Sequence, residues 1–588
     1  MKTYTIRLLI ACTYMLSICS CEDYVEEVNP NEIAAETHYQ SLDESNIVLT
    51  SVYGAMLNES IVGAREEAWR SDFAFPGNRG RNIEIDALNI YQQIINEDNQ
   101  YINTKWNALY QVIWRANQLI AGLEGMNDDL KSEELWTVQM GQARFFRGLA
   151  HFYLHSLYNN GEIVIRDVAP EELEDFSKPV SSSEEVIAFF REDLRYAYEN
   201  LPPTLRDRSR VTAGTAATIL GTSYLYSEDY ENAKILFEDV INNAAYGYRL
   251  VQDWSIMFTE AGDFNSESIF EINYTTDQQI EDGNFDQESF FTPLARFSAP
   301  IEGGGASFNQ QFTAASWLIH AYATEPLDID DPRNIVMDRA TGNRRIRKVS
   351  LRSSAMIAVV NDEDTEYYNA PSAPVLVNFG SNQNKYGYFK KYSNHDIVSR
   401  EEETGGTSWK SGKNVIVNRL ADVYLMYAEC LLRGDNNIAG AIDFINPIRQ
   451  RWGLQLLDPG ASLTEGIPYT VETLMDHLMF VERPLELSVE GVSQRIIDLR
   501  RWGIAKERFT DLASSSYYLA DYEYYDDRTG TTQTRARSLV RQGTSPDPRN
   551  NPQITQEYVG AAQFYATGYF PLPISETLNN NAVSGNAN

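Results

Sequence analysis

The sequence is poor in the groups that carry most enzyme chemistry. Its 588 residues include only 6 histidines and 4 cysteines. Cys12, Cys19 and Cys21 crowd the N-terminus, so no disulfide framework can staple the body. Cys430 stands alone in the apolar run LADVYLMYAECLL, which fits a buried, inert thiol better than a nucleophile. There is no HExxH, no GxSxG and no Walker sequence, and GTSWKSGKN has the wrong spacing for a phosphate loop. Basic residues are scarce, 49 Lys and Arg against 83 Asp and Glu, for a net charge of −34. Such a surface repels phosphate backbones and anionic membranes, which excludes nucleic acid as a partner. Long apolar runs are missing too, since Leu8–Ile18 is too short to span a bilayer. What is plentiful is aromatic: 35 Tyr, 25 Phe and 9 Trp exceed what a core of this size needs, so some belong on the surface.

The first twenty residues read as a signal peptide (1–20): Lys2 and Arg7 precede the short apolar stretch LLIACTYMLSI. The run Ile18-Cys19-Ser20-Cys21 resembles a bacterial lipoprotein box, with Cys21 as the lipidated residue, because Ile18 is too bulky to precede a cleavage before Cys19. The following EDYVEEVNP, in a tether spanning 21–40, resembles the signal that exports lipoproteins to the outer face of the outer membrane. Its alternative is a merely solvated acidic linker. An acidic body of this kind is held at a membrane by acyl chains, not by electrostatics.

Beyond the tether, helical periodicity dominates. SNIVLTSVYGAML, KWNALYQVIWRANQLIAGL and GQARFFRGLAHFYLHSLY each repeat apolar residues at three and four. TAGTAATILGTSYLYSEDYENAKILFEDVI reads as a helical hairpin of tetratricopeptide type, and Arg419–Gly453 as another. Between about 245 and 410 the periodicity fades, leaving the strand-like IFEINY and YGYFKKY and the glycine-rich EGGGAS. The fold class expected is mainly α: one domain over 41–588, a tetratricopeptide-type helical scaffold carrying a loop-rich insertion with short strands, where ligand contacts gather. Residues 511–560 read as irregular. His151 and His155, four apart on a helix, have no third ligand nearby and suggest packing. The acidic NDEDTE (Asn361–Glu366) lacks a calcium-loop spacing and reads as a solvated turn. No metal and no cofactor is expected.

FVERPLELSVEGVSQRIIDLRRWG (Phe480–Gly503) is the one stretch that raises the question of catalysis. Glu482, Glu486 and Glu490 stand at four-residue spacing, each one residue past the apolar stripe Leu474, Leu478, Val481, Leu485, Val489. Carboxylates half-buried on one helix face stay charged only beside cations, and Arg449, Arg451, Arg483, Arg495, Arg500 and Arg501 are at hand. A glycosidase needs two carboxylates in unlike environments across a cleft. A row matched by arginines fits a structural brace instead.

The same stretch resembles the C-terminal hallmark of the SusD/RagB family: ER, E-L, E-G, R, then D-L-x-R-W-G. Other pieces agree in order, including WNALYQVIWRANQLI, ARFFRGLAHFYLHSLYNNGEIVI, RVTAGTAATILGTSYLYSEDYENA, ESIFEINY, DDPRN, INPIRQRWG and YFPLPISETLNNN. The resemblance covers essentially the mature chain. Pro484 departs from the pattern and predicts a kink or helix start there.

The resemblance implies a SusD-like fold and a non-enzymatic, surface-exposed lipoprotein of the outer membrane. Such a protein captures glycans and delivers them to a SusC-like TonB-dependent transporter, its partner. Other cargo, such as peptide, is the alternative, and a glycoside hydrolase the least favoured. Aromatic side chains stack on sugar rings while polar ones fix the hydroxyls. The expected ligand-binding residues are Trp69, Phe73 and Phe75 with Asn78, Arg79 and Arg81, together with Phe291, Phe297 and Phe308. Packing is the competing role for Trp69. Trp317 reads as core, and Tyr367 and Tyr368 as either.

Overall fold

The apolar stripes of the sequence become helices stacked in consecutive hairpins. A computed structural model describes residues 39–583, apart from 77–84, 170–176, 278–291, 293, 301–311, 381–385, 405–409 and 555–556. Helix α1 (Leu42–Ala55) starts at Ser41, whose side chain accepts from the Glu44 amide at 3.3 Å. It packs on α3 (Gln100–Gly125), after the short α2 (Ala64–Arg70). The chain continues through α4 (Glu134–Leu157), α5 (Ser183–Asn200), α6 (Ala213–Tyr226) and α7 (Tyr230–Asn242), each packed on the one before. A three-residue turn closes the α6–α7 hairpin. The chain then leaves this stack, passes through α8 (Ser316–Ala323), and returns as α9 (Leu420–Asp435), which packs back onto α7 and pairs with α10 (Ile438–Arg451). The architecture is mainly α and of tetratricopeptide type, as the periodicity predicts.

Strands are short and tie the excursion to the scaffold. Strand β1 (Ala74–Pro76) pairs with β3 (Phe312–Ala314), and β2 (Ser268–Ile272) with β4 (Val415–Arg419), all antiparallel. The β2–β4 pairing zips the outgoing and returning ends of the excursion together. Residues 511–560 are not irregular, contrary to the expectation. They hold a long hairpin, β5 (Tyr517–Asp526) with β6 (Thr531–Gln542), its register shifting between Arg535 and Leu539. On β5 Tyr517 and Leu519 are buried, Asp521 and Glu523 at the same period-2 positions are exposed, and burial shifts to Tyr524 and Asp526, so no single alternation runs through the strand. The hairpin lies on the excursion: Leu539 joins a small core with Tyr367, Phe379 and Tyr388, and the Tyr522 hydroxyl donates to Glu363. Tyr367 and Tyr368 are therefore core residues. Asn361–Glu363 is buried and not a solvated turn, with Asp364 and Glu363 paired to Arg345 and Lys348.

Around Glu482–Glu490 the helix is not one continuous row. Helix α11 (Val471–His477) runs into a π-helical turn, Leu478–Glu482, and then α12 (Arg483–Glu486). Pro484 lies in the first turn of α12, where its missing N–H is tolerated. Val489 turns left-handed (φ 57°), so Glu490 lies past the helix. All three glutamates nevertheless enter one buried ion network. Glu482 accepts from Arg352 at 3.0 Å, from Arg449 and from His477. Glu486 accepts from Arg419 at 2.8 Å, from Arg451, and from the Trp452 indole at 2.7 Å. Glu490 accepts from Arg419 at 2.7 Å and from Lys391. Glu267, at the foot of β2, bonds Arg419 and Arg451, and Glu325 bonds Arg352. Glu267, Glu325, Glu482, Glu486 and Glu490 thus face Arg352, Arg419, Arg449, Arg451 and Lys391, and the charges balance. Of the cations expected from the local sequence only Arg449 and Arg451 serve. Arg483 pairs with Asp422 and Asp498, Arg495 with Asp72, and Arg501 with Glu429 and Asp498, while Arg500 donates to the carbonyls of Ser156 and Gly568. A sequence neighbour on the same segment is often on the wrong side of the chain to reach the carboxylate.

One ending is used twice. Helix α10 closes with Arg451-Trp452-Gly453 and α13 (Gln494–Arg501) with Arg501-Trp502-Gly503. In each, the Arg and the Trp indole grip a single buried glutamate, Glu486 for the first and Glu429 for the second. The glycine then ends the helix at positive φ, 61° and 75° respectively.

Burial alone would raise the Glu486 carboxyl, but Arg451, Arg419 and Arg352 outweigh it and hold it at about 2, against 4.5 when unfolded. A depressed carboxyl contributes stability that is complete above the unfolded value and is lost as pH falls towards the folded one. Glu486→Gln is expected to lower the unfolding free energy by about 3–5 kcal/mol near neutral pH, because it removes one carboxylate from a buried network whose charges otherwise balance, leaving Arg451 and Arg419 in excess of their remaining partners Glu267 and Glu490. Urea denaturation should show that gap narrowing as pH falls from about 4.5 to about 2.

Candidate functional site

The two segments expected to hold ligand contacts are brought together by the β1–β3 pair. Ala74 lies opposite Ala314 and Pro76 opposite Phe312. Of the nine expected residues, Asn78, Arg79, Arg81, Phe291 and Phe308 lie outside the described residues. Trp69 and Phe73 are core residues, 3% and 4% exposed, and offer no ring face to solvent. The cause is local: α2 is a helix of 7 residues in which Glu67, Ala68, Trp69 and Arg70 are all buried, and it packs on Ile85–Tyr91, β1 and Gln494–Arg501. The Arg495 guanidinium also lies 5.6 Å from the Phe73 ring centroid. Phe75 is half-buried, edge-on to Tyr91 at 5.0 Å. Phe297 is half-buried as well, and Arg65 of α2 lies 4.2 Å from its centroid and 5.1 Å from that of Trp69. Arg65 therefore sits beside two rings, joining the two segments.

Around this contact is a shallow recess lined by Glu59, Arg65, Tyr101, Tyr274, Leu294 and Phe297. Its floor is rigid. Glu67 is buried and accepts from the Lys105 ammonium at 2.9 Å, the Tyr101 hydroxyl at 2.8 Å and Arg70 at 3.2 Å. Burial would push its carboxyl up, yet Lys105 and Arg70 bring it down to about 2. Asp72, one turn on, takes both Arg495 nitrogens at 2.8 Å and Arg508 at 2.8 Å, and its carbonyl accepts from the Trp317 indole. Trp317 is core, as its helical spacing predicts. Glu59 differs: burial, with Glu66 nearby, raises its carboxyl.

Chemically, the recess offers ring faces, guanidinium donors and one carboxylate with a raised pKa. Among the described residues, Glu67 and Asp72 are buried and ion-paired and Glu66 is held by Arg65, unlike the two carboxylates across a cleft that sugar-bond hydrolysis uses. Arg65, Tyr101 and Tyr274 escaped the sequence reading. Arg65 was findable, four residues before Trp69 on a helix, where a cation and a ring meet. Tyr101 and Tyr274 come from distant segments and carry no such signal.

Other candidates resolve into packing. His151 bonds the Arg147 carbonyl at 2.8 Å and His155 the Ser183 hydroxyl at 2.9 Å, and burial lowers both to about 4. Cys430 is buried and free, its thiol pushed up by burial and by Glu429. Cys21 lies outside the described residues. Among the described residues no group of three or more His, Cys, Asp or Glu could hold a metal, and no helix is long and apolar enough to cross a membrane.

Comparison with known proteins gives a consistent picture. The sequence model of the SusD family matches residues 266–588, more than half of the chain. A second family, described as starch-binding associating with outer membrane, matches residues 23–225. SusD-like protein P25 of Formosa agariphila is 24% identical over 534 residues, covering 86% of this chain and 92% of the relative. Among solved structures, a SusD superfamily protein from Bacteroides vulgatus superposes with a TM-score of 0.66 at 21% identity, covering 93% of this chain and 98% of the other. A laminarin-binding SusD-like protein superposes with a TM-score of 0.58 at 23% identity, covering 81% and 94%.

Gly63 precedes α2 in the left-handed region (φ 56°), and a Cβ built there falls 2.1 Å from the Tyr101 hydroxyl. Gly63→Ala is expected to cost about 2–3 kcal/mol and to pull Tyr101 from Glu67. Gly247→Ala has a similar φ of 72° with open space around it and should cost about 1 kcal/mol. Equal losses on urea denaturation would mean that Tyr101 is not held where the structure puts it.

Proposed function

The chain belongs to the SusD family, and on that premise we propose that it is a non-enzymatic, cell-surface lipoprotein that captures oligo- or polysaccharide. The captured glycan passes to a SusC-like TonB-dependent transporter in the outer membrane. The observation carrying the ligand reading is the Arg65–Phe297 contact, which joins the segment that holds Trp69 to the one that holds Phe297. A sugar ring has apolar faces that stack on Phe75 or Phe297 and hydroxyls that Arg65 and Glu59 can bond. The starch-binding family description and the laminarin-binding relative support glycan over peptide cargo. The buried, ion-paired state of Glu482 and Glu486 supports binding without hydrolysis, because no substrate reaches them. Anchoring is proposed through lipidated Cys21, with the acidic tether holding the body off the membrane.

Calorimetric titration against starch and laminarin, with an oligopeptide mixture as the competing cargo, tests this reading. Wild type should bind at least one polysaccharide and release no reducing sugar, while Arg65→Ala and Phe297→Ala each weaken binding about tenfold or more. Variants that bind as wild type would remove the recess from the argument, and peptide binding alone would change the cargo. In cells, Cys21→Ser should move the protein from the membrane fraction to the soluble one, read by immunoblot after fractionation.

A further inference from the structure

The root of the excursion, where β2 and β4 zip together, carries two carboxylates that no cation neutralises. Asn414, the residue before β4, lies between them. Its amide donates to Asp263 at 3.1 Å, and its side-chain nitrogen donates to Glu271 of β2 at 2.8 Å. Glu271 also accepts from the Phe264 amide at 3.0 Å. The Asn414 side-chain oxygen in turn accepts from the Tyr274 amide at 3.1 Å, and Tyr274 lines the recess around Arg65 and Phe297. One residue thus ties together the turn at 258–264, the end of β2 and the start of β4.

The charged groups that face this clasp are committed elsewhere or repel it. Lys413 spends its ammonium on Asp396 and on the carbonyls of Ser393 at 2.7 Å and Phe258 at 3.2 Å. Lys391 and Glu490, which line a small cavity with Asp263, are bonded to each other. Arg208 is exposed and donates to the Phe264 carbonyl, and Arg210, which lines a recess with Glu271, pairs with Asp207 at 3.4 Å. Glu260, in the same turn as Asp263, is a third acid. Neither Asp263 nor Glu271 forms an ion pair within 4.0 Å among the described residues. Two carboxylates placed in this way ionise together only against their mutual repulsion. Burial pushes the Asp263 carboxyl up to about 7, with the Asn414 amide lowering it and Glu271 adding to the rise, and burial raises Glu271 as well. The backbone of the turn is strained too. Phe258 and Phe264 both adopt the left-handed region, φ 64° and 52°, where bulky side chains rarely sit. The Phe258 ring lies 4.6 Å from the Lys391 ammonium and 5.6 Å from the Arg419 guanidinium, so the turn leans on the main ion network.

We infer that Asp263, Asn414 and Glu271 form a proton-dependent latch: one proton held on the carboxylate pair keeps the 258–264 turn bound to the β2–β4 root, and its loss lets the strained turn open. A carboxyl raised above its ordinary 3.8 contributes stability that is complete below that value and is lost as pH rises through the folded one, here about 7. The latch therefore loosens on the alkaline side, opposite in sign to Glu486, and its opening frees the Asn414 contact that holds Tyr274. It works in the same way whatever the Arg65–Phe297 recess binds.

Hydrogen–deuterium exchange of the full chain at about pH 6 and about pH 8.5, on either side of the Asp263 value, tests it, with rates expressed as protection factors to remove the intrinsic pH dependence of exchange. Residues 258–274 and 411–419 should lose protection about tenfold or more at the higher pH, while α6 and α7 keep theirs. Asp263→Asn keeps an acceptor for the Asn414 amide but cannot ionise, so it should hold the same segments protected at both pH values. Glu271→Gln should do likewise, because either variant leaves a single carboxylate in the clasp, and it keeps the test decisive if Asp263→Asn does not fold. Equal protection of the wild type at both pH values, a loss spread evenly over α6 and α7, or a folded variant that loses protection as the wild type does would each overturn the inference.

Discussion

A single buried ion network holds the two halves of this molecule in register. Arg419, where the chain rejoins the helical stack, reaches Glu267 at the outgoing end of the excursion and Glu486 and Glu490 in the C-terminal segment. Arg352 adds a helix from within the excursion, gripping Glu325 and Glu482. Apolar packing could hold these elements together, but it is non-directional and would tolerate sliding. Charges taken out of water cost several kcal/mol each unless paired in good geometry, so one arrangement is favoured over its neighbours. The balance of five carboxylates and five cations makes the arrangement tolerable at all.

The candidate ligand recess inherits its rigidity from smaller networks of the same kind. Asp72 pins the residues just before β1 to Arg495 and Arg508 from the far end of the chain, and Glu67 pins the short helix α2 to Lys105 of α3. Trp69 and Phe73 are spent on that seating. What remains for a ligand is the rim, Arg65 with Phe297 and Phe75, on short elements with little packing of their own. Binding groups placed on a fixed base lose little freedom when a ligand arrives, which favours affinity without large interfaces.

Much of this was legible beforehand. Helices, their pairing and the excursion follow from periodicity, because a 3.6-residue repeat needs only local sequence to be seen. The role of Glu482 and Glu486 as a brace was legible from their place beside an apolar stripe. Of the network's cations only Arg449 and Arg451 were: Arg352, Arg419 and Lys391 lie roughly a hundred residues from the glutamates they pair with, and no local rule connects them. The β5–β6 hairpin was missed because tyrosines and threonines in alternation with charge look like solvent-facing loop until something covers one face. Phe73 and Trp69 were misjudged for a related reason, since aromatic content marks where rings are abundant but not which way they turn.

The sequence by itself determined the helical scaffold, the family signature and the absence of the common catalytic motifs, all of which reside in residue spacing along one segment. Only the tertiary structure decided which cations neutralise the buried glutamates, which rings stay at the rim, and which carboxylates are left without a cation. Those outcomes depend on side chains from separate segments meeting in a low-dielectric interior. There a few ångströms decide whether a charge is paired or left alone, and sequence separation carries no information about that distance.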